Sequence, residues 1–272
     1  MQGRLSDIDN GVIQEFPWKS WRDEFKIASD LGIDTMEWTL DQKDLYLNPL
    51  MTLKGQEEIL KLSKKWSIFI PSITGDCFMQ HPFWKFKGKK QESLLIDFEN
   101  IIRACQAIRS KIIVIPLVDN GSLENSYQED ELVKILKNFI PLIKLMKLKI
   151  AFESDYPPDE LSRFICRFDK NIFGINYDIG NSAALGFSPD SEFFHYGHRV
   201  INVHVKDRPF GGSTVPLGLG DANFITVFKN LEKYNYNGNY ILQTARDTKG
   251  QHVKVIGEYF SQTKSWLKIN EF

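Results

Sequence analysis

The sequence predicts an α/β protein, a single closed (β/α)8 barrel of the TIM type over residues 1–272, and two observations carry that expectation. Short β-branched runs alternate with longer segments of helical period from one end of the chain to the other, the signature of βα units around a parallel sheet. Eight such strands, each followed by a helix, in a chain of 272 residues match the specification of the barrel. The competitor is an open doubly wound sheet. It ranks second because the first βα turn lacks a GxGxxG and because the last four strands all end in polar groups, which a barrel gathers at one mouth and an open sheet spreads along an edge.

Taken in order, the strands end near Arg4, Thr39, Ile73, Ile115, Glu153, Asp178, Val205 and Gln243, and the helices begin around Trp18, Gln56, Glu92, Glu129, Pro158, Ser191, Asn223 and His252. Pro157 and Pro158 sit at the first turn before DELSRFICRF, and Asp221 or Asn223 can cap FITVFKNLEKY, both ordinary helix starts. Two loops stand out. Asp76 to Lys87, DCFMQHPFWKFK, is aromatic and basic; it reads either as rim packing or as a lid over a small polar ligand. Gly211 to Phe224, GGSTVPLGLGDANF, reads either as turn chemistry plus a cap or as backbone N–H groups that receive an anion such as a sugar phosphate. It is not a P-loop, since no GK[ST] follows the glycines. No repeat, linker or low-complexity stretch marks a domain boundary.

Composition bounds the function classes. The 34 Lys and Arg nearly balance 35 Asp and Glu, giving a formal net charge of −1, so the basic field of a general nucleic-acid binder is absent. The opening MQGRLSDIDNG has no apolar signal region, and no apolar run approaches the roughly 18 residues that span a bilayer. Cys77, Cys105 and Cys166 are odd in number and lack CxxC spacing, which points to free thiols in a reducing cytoplasm. No membrane or nucleic-acid partner is expected, and the rim aromatics leave room for a homodimer.

The chemistry concentrates at four strand ends: Glu153 of KIAFE, Asp178 of FGINYD, His204 within NVHVKDR and Gln243 of NYILQ. Each alone reads more simply as a structural residue. Together, about one βα unit apart, they would converge at the centre of a barrel's catalytic face. Two carboxylates, an imidazole and a carboxamide oxygen form a mixed O/N set that suits Mn2+ or Mg2+, and also Co2+ or Zn2+, and does not suit thiolate-loving ions. His195, His198 and His252 fall within or beside predicted helices and read as surface or packing residues.

The opening MQGRLS, FPW and WRDEFKIASDLGIDTMEW, followed in order by AFESD, YDIGN, HVKDR, PLGLGDANF and NYILQTARD, resembles the xylose isomerase-like superfamily of sugar phosphate isomerases and epimerases over essentially the whole chain. The resemblance implies a divalent metal held by Glu153, Asp178, His204 and the residue at 243, with Glu153 and residue 243 also moving protons. Gln243 departs from the family's glutamate: its carboxamide oxygen can still ligate a metal, but it cannot accept a proton near neutral pH. Asn181 stands where some epimerases carry a histidine, as in the L-xylulose- and L-ribulose-phosphate branch. Arg208 matches a substrate-contacting arginine, Lys206 lies beside it, and Glu37 matches a glutamate at the end of the second strand. Arg246, just past the last strand, is placed to contact substrate or orient Gln243.

The implied reaction is proton abstraction next to a carbonyl through an enediolate, with the metal as Lewis acid and Glu153 as base. A same-face 1,2-isomerisation needs no second carboxylate, whereas a 3-epimerisation needs an acid on the opposite face, for which His81, Lys206 and Glu37 are the candidates. The missing carboxylate favours isomerase or dehydratase. The alternatives are a metal-dependent dehydratase of keto-inositols or dehydroshikimate on the same barrel, and a sugar-binding barrel without turnover. The abasic-site endonucleases share the fold but carry several additional histidines after the third, fourth, sixth and seventh strands; this chain has five histidines, the third strand could offer His81, and the strand ending at Ile115 offers none.

Overall fold

Runs rich in Ile, Val and aromatic residues form the strands, and these are buried on both faces as a parallel sheet requires. In the computed structural model, which describes residues 1–7, 14–247 and 249–269, seven parallel strands follow one another around the sheet in chain order. They are β1 (Trp38–Leu40), β2 (Ser72–Gly75), β3 (Ile112–Leu117), β4 (Lys149–Ser154), β5 (Phe173–Asp178), β6 (Val200–Val205) and β7 (Tyr240–Leu242). Part of the opening stretch read above, residues 8–11, lies outside the described residues.

The strand expected to end near Arg4 does not form. Residues 1–4 nevertheless fill the eighth position: the Met1 amino group donates to Leu242 O on β7 (2.9 Å) and Gln2 N donates to Glu37 O beside β1 (3.0 Å). Gly3 takes φ +78°, which interrupts an extended run. The next donors then turn to a side chain: Glu24 accepts from Gly3 N (2.8 Å), Leu5 N (3.2 Å) and Ser6 Oγ (2.8 Å).

Ten α-helices occur among the described residues: α1 (Trp21–Asp30), α2 (Leu53–Trp66), α3 (Asp76–Gln80), α4 (Gly88–Ala107), α5 (Ser126–Leu145), α6 (Pro158–Ile165), α7 (Ile179–Leu185), α8 (Pro189–Tyr196), α9 (Phe224–Lys233) and α10 (His252–Ile269). Eight lie within a few residues of their predicted starts. Pro158 opens α6, and Asn223 caps α9 by accepting from Thr226 N (3.1 Å), as the sequence indicates. The short helices α3 and α7 are additional. None of the described helices is long and apolar enough to cross a membrane.

Side chains alternate between the two faces of each strand, and the alternation sorts the interior. Ile113, Ile115, Ile150, Phe152 and Ile175 belong to the main core, where Phe152, Phe164, Phe168 and Phe173 meet with ring centroids 4.6–6.0 Å apart. The other parity gives a small separate apolar cluster, Ile112, Val114 and Ala151 with Ile201 against it. Further along the strands this set becomes polar: Glu153 on β4, Asn176 and Asp178 on β5, Asn202 and His204 on β6. Register aligns Asp178 with His204. The aromatic stretch after β2 packs as rim rather than standing over the mouth as a lid: Phe78, Phe83 and Trp84 are buried, and Phe78 and Phe83 contact Phe98 of α4.

Candidate functional site

The polar ends of β4, β5 and β6 meet at one place. Glu153, Asp178 and His204 are all buried, and one ligand atom from each lies within 4.8 Å of the others. His204 Nδ1 is 3.2 Å from Glu153 Oε2 and 3.8 Å from Asp178 Oδ2, while Nε2 is 2.8 Å from Glu37 Oε1. With the ring neutral and its proton on Nε2, donated to Glu37, Nδ1 would turn a lone pair toward the two carboxylates, the orientation a metal ligand needs; with the ring protonated, Nδ1 donates to them instead. Asp178 also caps α7, its Oδ1 accepting from Asn181 N (2.9 Å), and its Oδ2 accepts from Lys206 Nζ (2.9 Å).

Electrostatics follow from this crowding. Burial opposes charge on every member. For Asp178 the penalty is outweighed by the Lys206 ammonium and by His204, which hold the carboxyl below its ordinary range. For His204 it is outweighed by Glu37 and by hydrogen bonds to Asp178, Glu153 and Glu37, which raise the imidazole well above its usual value. For Glu37 the His204 imidazole wins over burial and lowers the carboxyl.

Above the triad opens a cavity of about 550 Å3, the size of a small-molecule pocket. Of the residues expected to bind substrate or metal, Glu153, Asn181, Lys206, Arg208 and Gln243 line it. Asn181 ties three of them together: its Nδ2 donates to Glu153 Oε1 (2.7 Å), and its Oδ1 accepts from Arg208 Nη1 (2.8 Å) and Lys206 Nζ (3.2 Å). The short helix α7 makes this reach, since it turns the chain back over the mouth three residues after Asp178. Gln243 donates from Nε2 to Gln14 Oε1 (2.7 Å), and its own Oε1 is buried without a hydrogen-bond partner.

Three expected substrate contacts lie away from the cavity lining. Glu37 precedes β1 instead of ending a strand, so it sits deep in the interior, fully buried, where it accepts from Ser72 Oγ (2.6 Å) and Asn202 Nδ2 (3.0 Å) as well as His204. His81 follows α3 and does not line the cavity, its ring stacked near Phe86 at 6.4 Å; burial, with Lys90 nearby, lowers its imidazole pKa. Arg246 donates from Nη1 to Ser6 O (2.7 Å). Of the two readings of the Gly211–Phe224 loop, the structure favours turn chemistry with a cap over an anion cradle. The loop's backbone N–H groups at Gly218, Gly220 and Ala222 already point at an anion of the chain itself, the fully buried Asp207 carboxylate (2.7, 2.9 and 3.2 Å).

Other residues at the site carry weaker sequence signals. Asp76 and Gln14 line the cavity, and Asn176 donates to Glu153 Oε2 (2.7 Å) from below. Asp76 carries the same signal as Glu153, a polar residue at a strand end, but the strand runs two residues beyond Ile73 to Gly75, and only that extension brings Asp76 to the mouth.

A model of the family described as xylose isomerase-like TIM barrel matches residues 25–268. An L-ribulose-5-phosphate 3-epimerase, UlaE, of Escherichia coli O1:K1 is 22% identical over 261 residues, covering 91% of this chain and 89% of the relative. Among solved structures, the fold is similar to a 3-keto-D-glucoside 4-epimerase, YcjR, from E. coli (TM-score 0.70, 16% identity, 93% of this chain and 97% of the other). It is similar also to an IOLI protein with a binding zinc atom (TM-score 0.73, 14% identity, 92% and 93%). The family match spans most of the chain and the fold agrees with it throughout: this protein belongs to the xylose isomerase-like TIM barrel family.

Proposed function

We propose that this protein is a divalent-metal-dependent isomerase or epimerase of a sugar or sugar phosphate, removing a proton next to a carbonyl to form an enediolate. The observation that carries the reading is the buried triad of Glu153, Asp178 and His204, with one donor atom each within 4.8 Å at the C-terminal mouth of the barrel. The residues fit a metal. Two carboxylates and an imidazole are the right donors for Mn2+ or Mg2+, with Co2+ and Zn2+ also compatible, and the partnerless buried Oε1 of Gln243 is an acceptor that a fourth ligand position would satisfy. When bound, the ion would supply Lewis acidity that polarises a carbonyl. Sugar epimerase activity of relatives such as UlaE supports the substrate class.

The chain's own residues divide the remaining work. Glu153 is the base: it is the triad carboxylate that also lines the cavity. Asn181 and Asn176 each donate to one of its oxygens, which fixes the carboxylate plane. Lys206 and Arg208 give the cavity a cationic end, suited to hydroxyls or a phosphate of the substrate, while Glu37 orients His204 from beneath.

The test is metal content after reconstitution with Mn2+ or Mg2+, measured beside a His204→Ala variant, followed by NMR of ketoses and ketose phosphates in D2O. About one equivalent of metal, lost in the variant, together with solvent deuterium entering the carbon next to the carbonyl, is the expected result. Equal metal content in both proteins, or no exchange in any ketose, would sink the proposal. Metal without exchange would mark the barrel as a sugar-binding protein that does not turn its ligand over.

A further inference from the structure

Gln243 leaves the proposed site with one proton-transferring carboxylate where two-face epimerisation needs two. The candidates the sequence offers for the second role are poorly placed: Glu37 is buried beneath His204, and His81 is absent from the cavity lining. Lys206 is engaged with Asp178 and Asn181. Asp76 remains. It stands directly after β2, is 4% exposed, and lines the same cavity as Glu153 and Gln243.

Its surroundings are built around it. Gln14 Nε2 donates to Asp76 Oδ2 (2.7 Å), while Gln14 Oε1 accepts from Gln243 Nε2 (2.7 Å) and Arg4 Nη2 (3.4 Å). With two donors on its oxygen, the Gln14 carboxamide is held one way round, so it must present its NH2 to Asp76. Asp76 Oδ2 is thereby committed as an acceptor, and a proton carried by this carboxyl belongs on Oδ1. Neither carboxamide of the chain Gln243–Gln14–Asp76 can ionise; the one acid in it is Asp76. Among the described residues Asp76 forms no ion pair. Burial first, then the nearby carboxylates of Asp41, Glu153 and Glu37, push its pKa up to about 7 against the opposing hydrogen bond from Gln14. Arg4 feels its charge from the other side, and so does the Cys77 thiol next to it. A carboxyl poised near neutrality can give and take a proton at working pH.

We infer that Asp76 is the second catalytic carboxyl of this site, held by Gln14, and that the reaction is an epimerisation using Glu153 and Asp76 from different walls of the cavity. The inference rests on the isomerase or epimerase reading above and narrows it. Glu153 takes the proton from the carbon next to the carbonyl, and the C–H electron pair passes into the enediolate. On the other face of that planar intermediate the Asp76 O–H bond breaks and a new C–H bond forms. Asp76 ends as carboxylate and Glu153 as acid, and both reset by exchange with water, with no net redox change. In the same-face isomerisation that the loss of a carboxylate at 243 favours, Asp76 would have no part.

The experiment uses the full-length Mn2+-loaded protein with free ketopentoses, ketohexoses and their phosphates in D2O. NMR follows deuterium in the recovered substrate and, separately, formation of the epimer. Wild type is expected to do both and Glu153→Gln neither. Asp76→Asn should still exchange deuterium into recovered substrate but form epimer about 100-fold more slowly, and Asp76→Glu should recover part of that loss. Circular dichroism and metal content of Asp76→Asn, both expected unchanged, separate the chemistry from misfolding. Epimer formation by Asp76→Asn at the wild-type rate overturns the role of Asp76 alone. So does an equal loss of exchange and epimer in Asp76→Asn, or an isomer in place of an epimer from wild type. Absence of exchange by wild type overturns the functional reading, and this inference with it.

Discussion

A carboxamide at position 243 changes the charge of the donor set as well as its proton inventory. Substituting Gln243→Glu adds a negative charge and a stronger ligand, so Mn2+ affinity should rise by about 10-fold or more in a calorimetric titration; unchanged or weaker binding would show that residue 243 does not reach the metal. Glu37 touches His204 and no cavity atom, which makes it a positioning residue. Glu37→Gln should cost about 10- to 100-fold in metal affinity with the fold intact, and an unaltered affinity would refute that role. Asp76 bears on stability too. Its folded pKa of about 7 lies above the ordinary aspartate value of 3.8, so the folded state holds a proton that the unfolded chain has released across that window. Its contribution to stability is therefore fully present below about pH 4 and is lost as pH rises through about 7. Urea unfolding of wild type should weaken between pH 4 and 7 relative to Asp76→Asn, by roughly 2–4 kcal/mol. Parallel pH profiles would contradict the raised pKa.

At the scale of elements, the connection from β6 to α9 shows how a glycine-rich loop can look like an anion site and be a closed one. Asp207 gathers three backbone donors and sets the path of residues 209–223. A Cβ on Gly220 would stand 2.2 Å from Asp207 Oδ1, so glycine is required there by the closeness of the carboxylate. Asp207→Ala strands three donors at once and should lower stability by about 3 kcal/mol or more, read from denaturant midpoints. A loss under 1 kcal/mol, on the order of a single neutral hydrogen bond, would mean that the loop keeps its form without the carboxylate. The helix α7 is the other decisive element. It exists because Asp178 caps it, and the same turn delivers Asn181 to Glu153, Lys206 and Arg208.

Across the whole molecule, closure of the barrel depends on a segment that is not a strand. Residues 1–6 bridge β7 and the start of β1 through a few backbone bonds, and Glu24 from α1 holds them by accepting from Gly3, Leu5 and Ser6. Removing that carboxylate in Glu24→Ala leaves three donors without their partner, two of them backbone N–H groups. The expected loss is about 3 kcal/mol, with faster amide exchange in both β1 and β7. Protection of β1 and β7 equal to that of wild type would indicate that the ring closes without Glu24.

The sequence by itself determined the βα order, the parity that points Glu153, Asp178 and His204 inward at successive strand ends, and the family. These follow from local rules: the two-residue period of a strand, the caps and turn residues between elements, and the one-directional run of a parallel barrel. Only the tertiary structure decided that Glu37 lies beneath His204 instead of in the cavity lining, that Asp76 reaches the mouth, that Asp207 fills the loop after β6, and that His81 and Arg246 stay out of the lining. Each of those depends on where a strand begins or ends against its neighbours and on partners far away in the chain, such as Glu37 with His204 or Gln14 with Gln243. Burial and hydrogen bonding across the closed ring settle such placements, and no local pattern of residues records them.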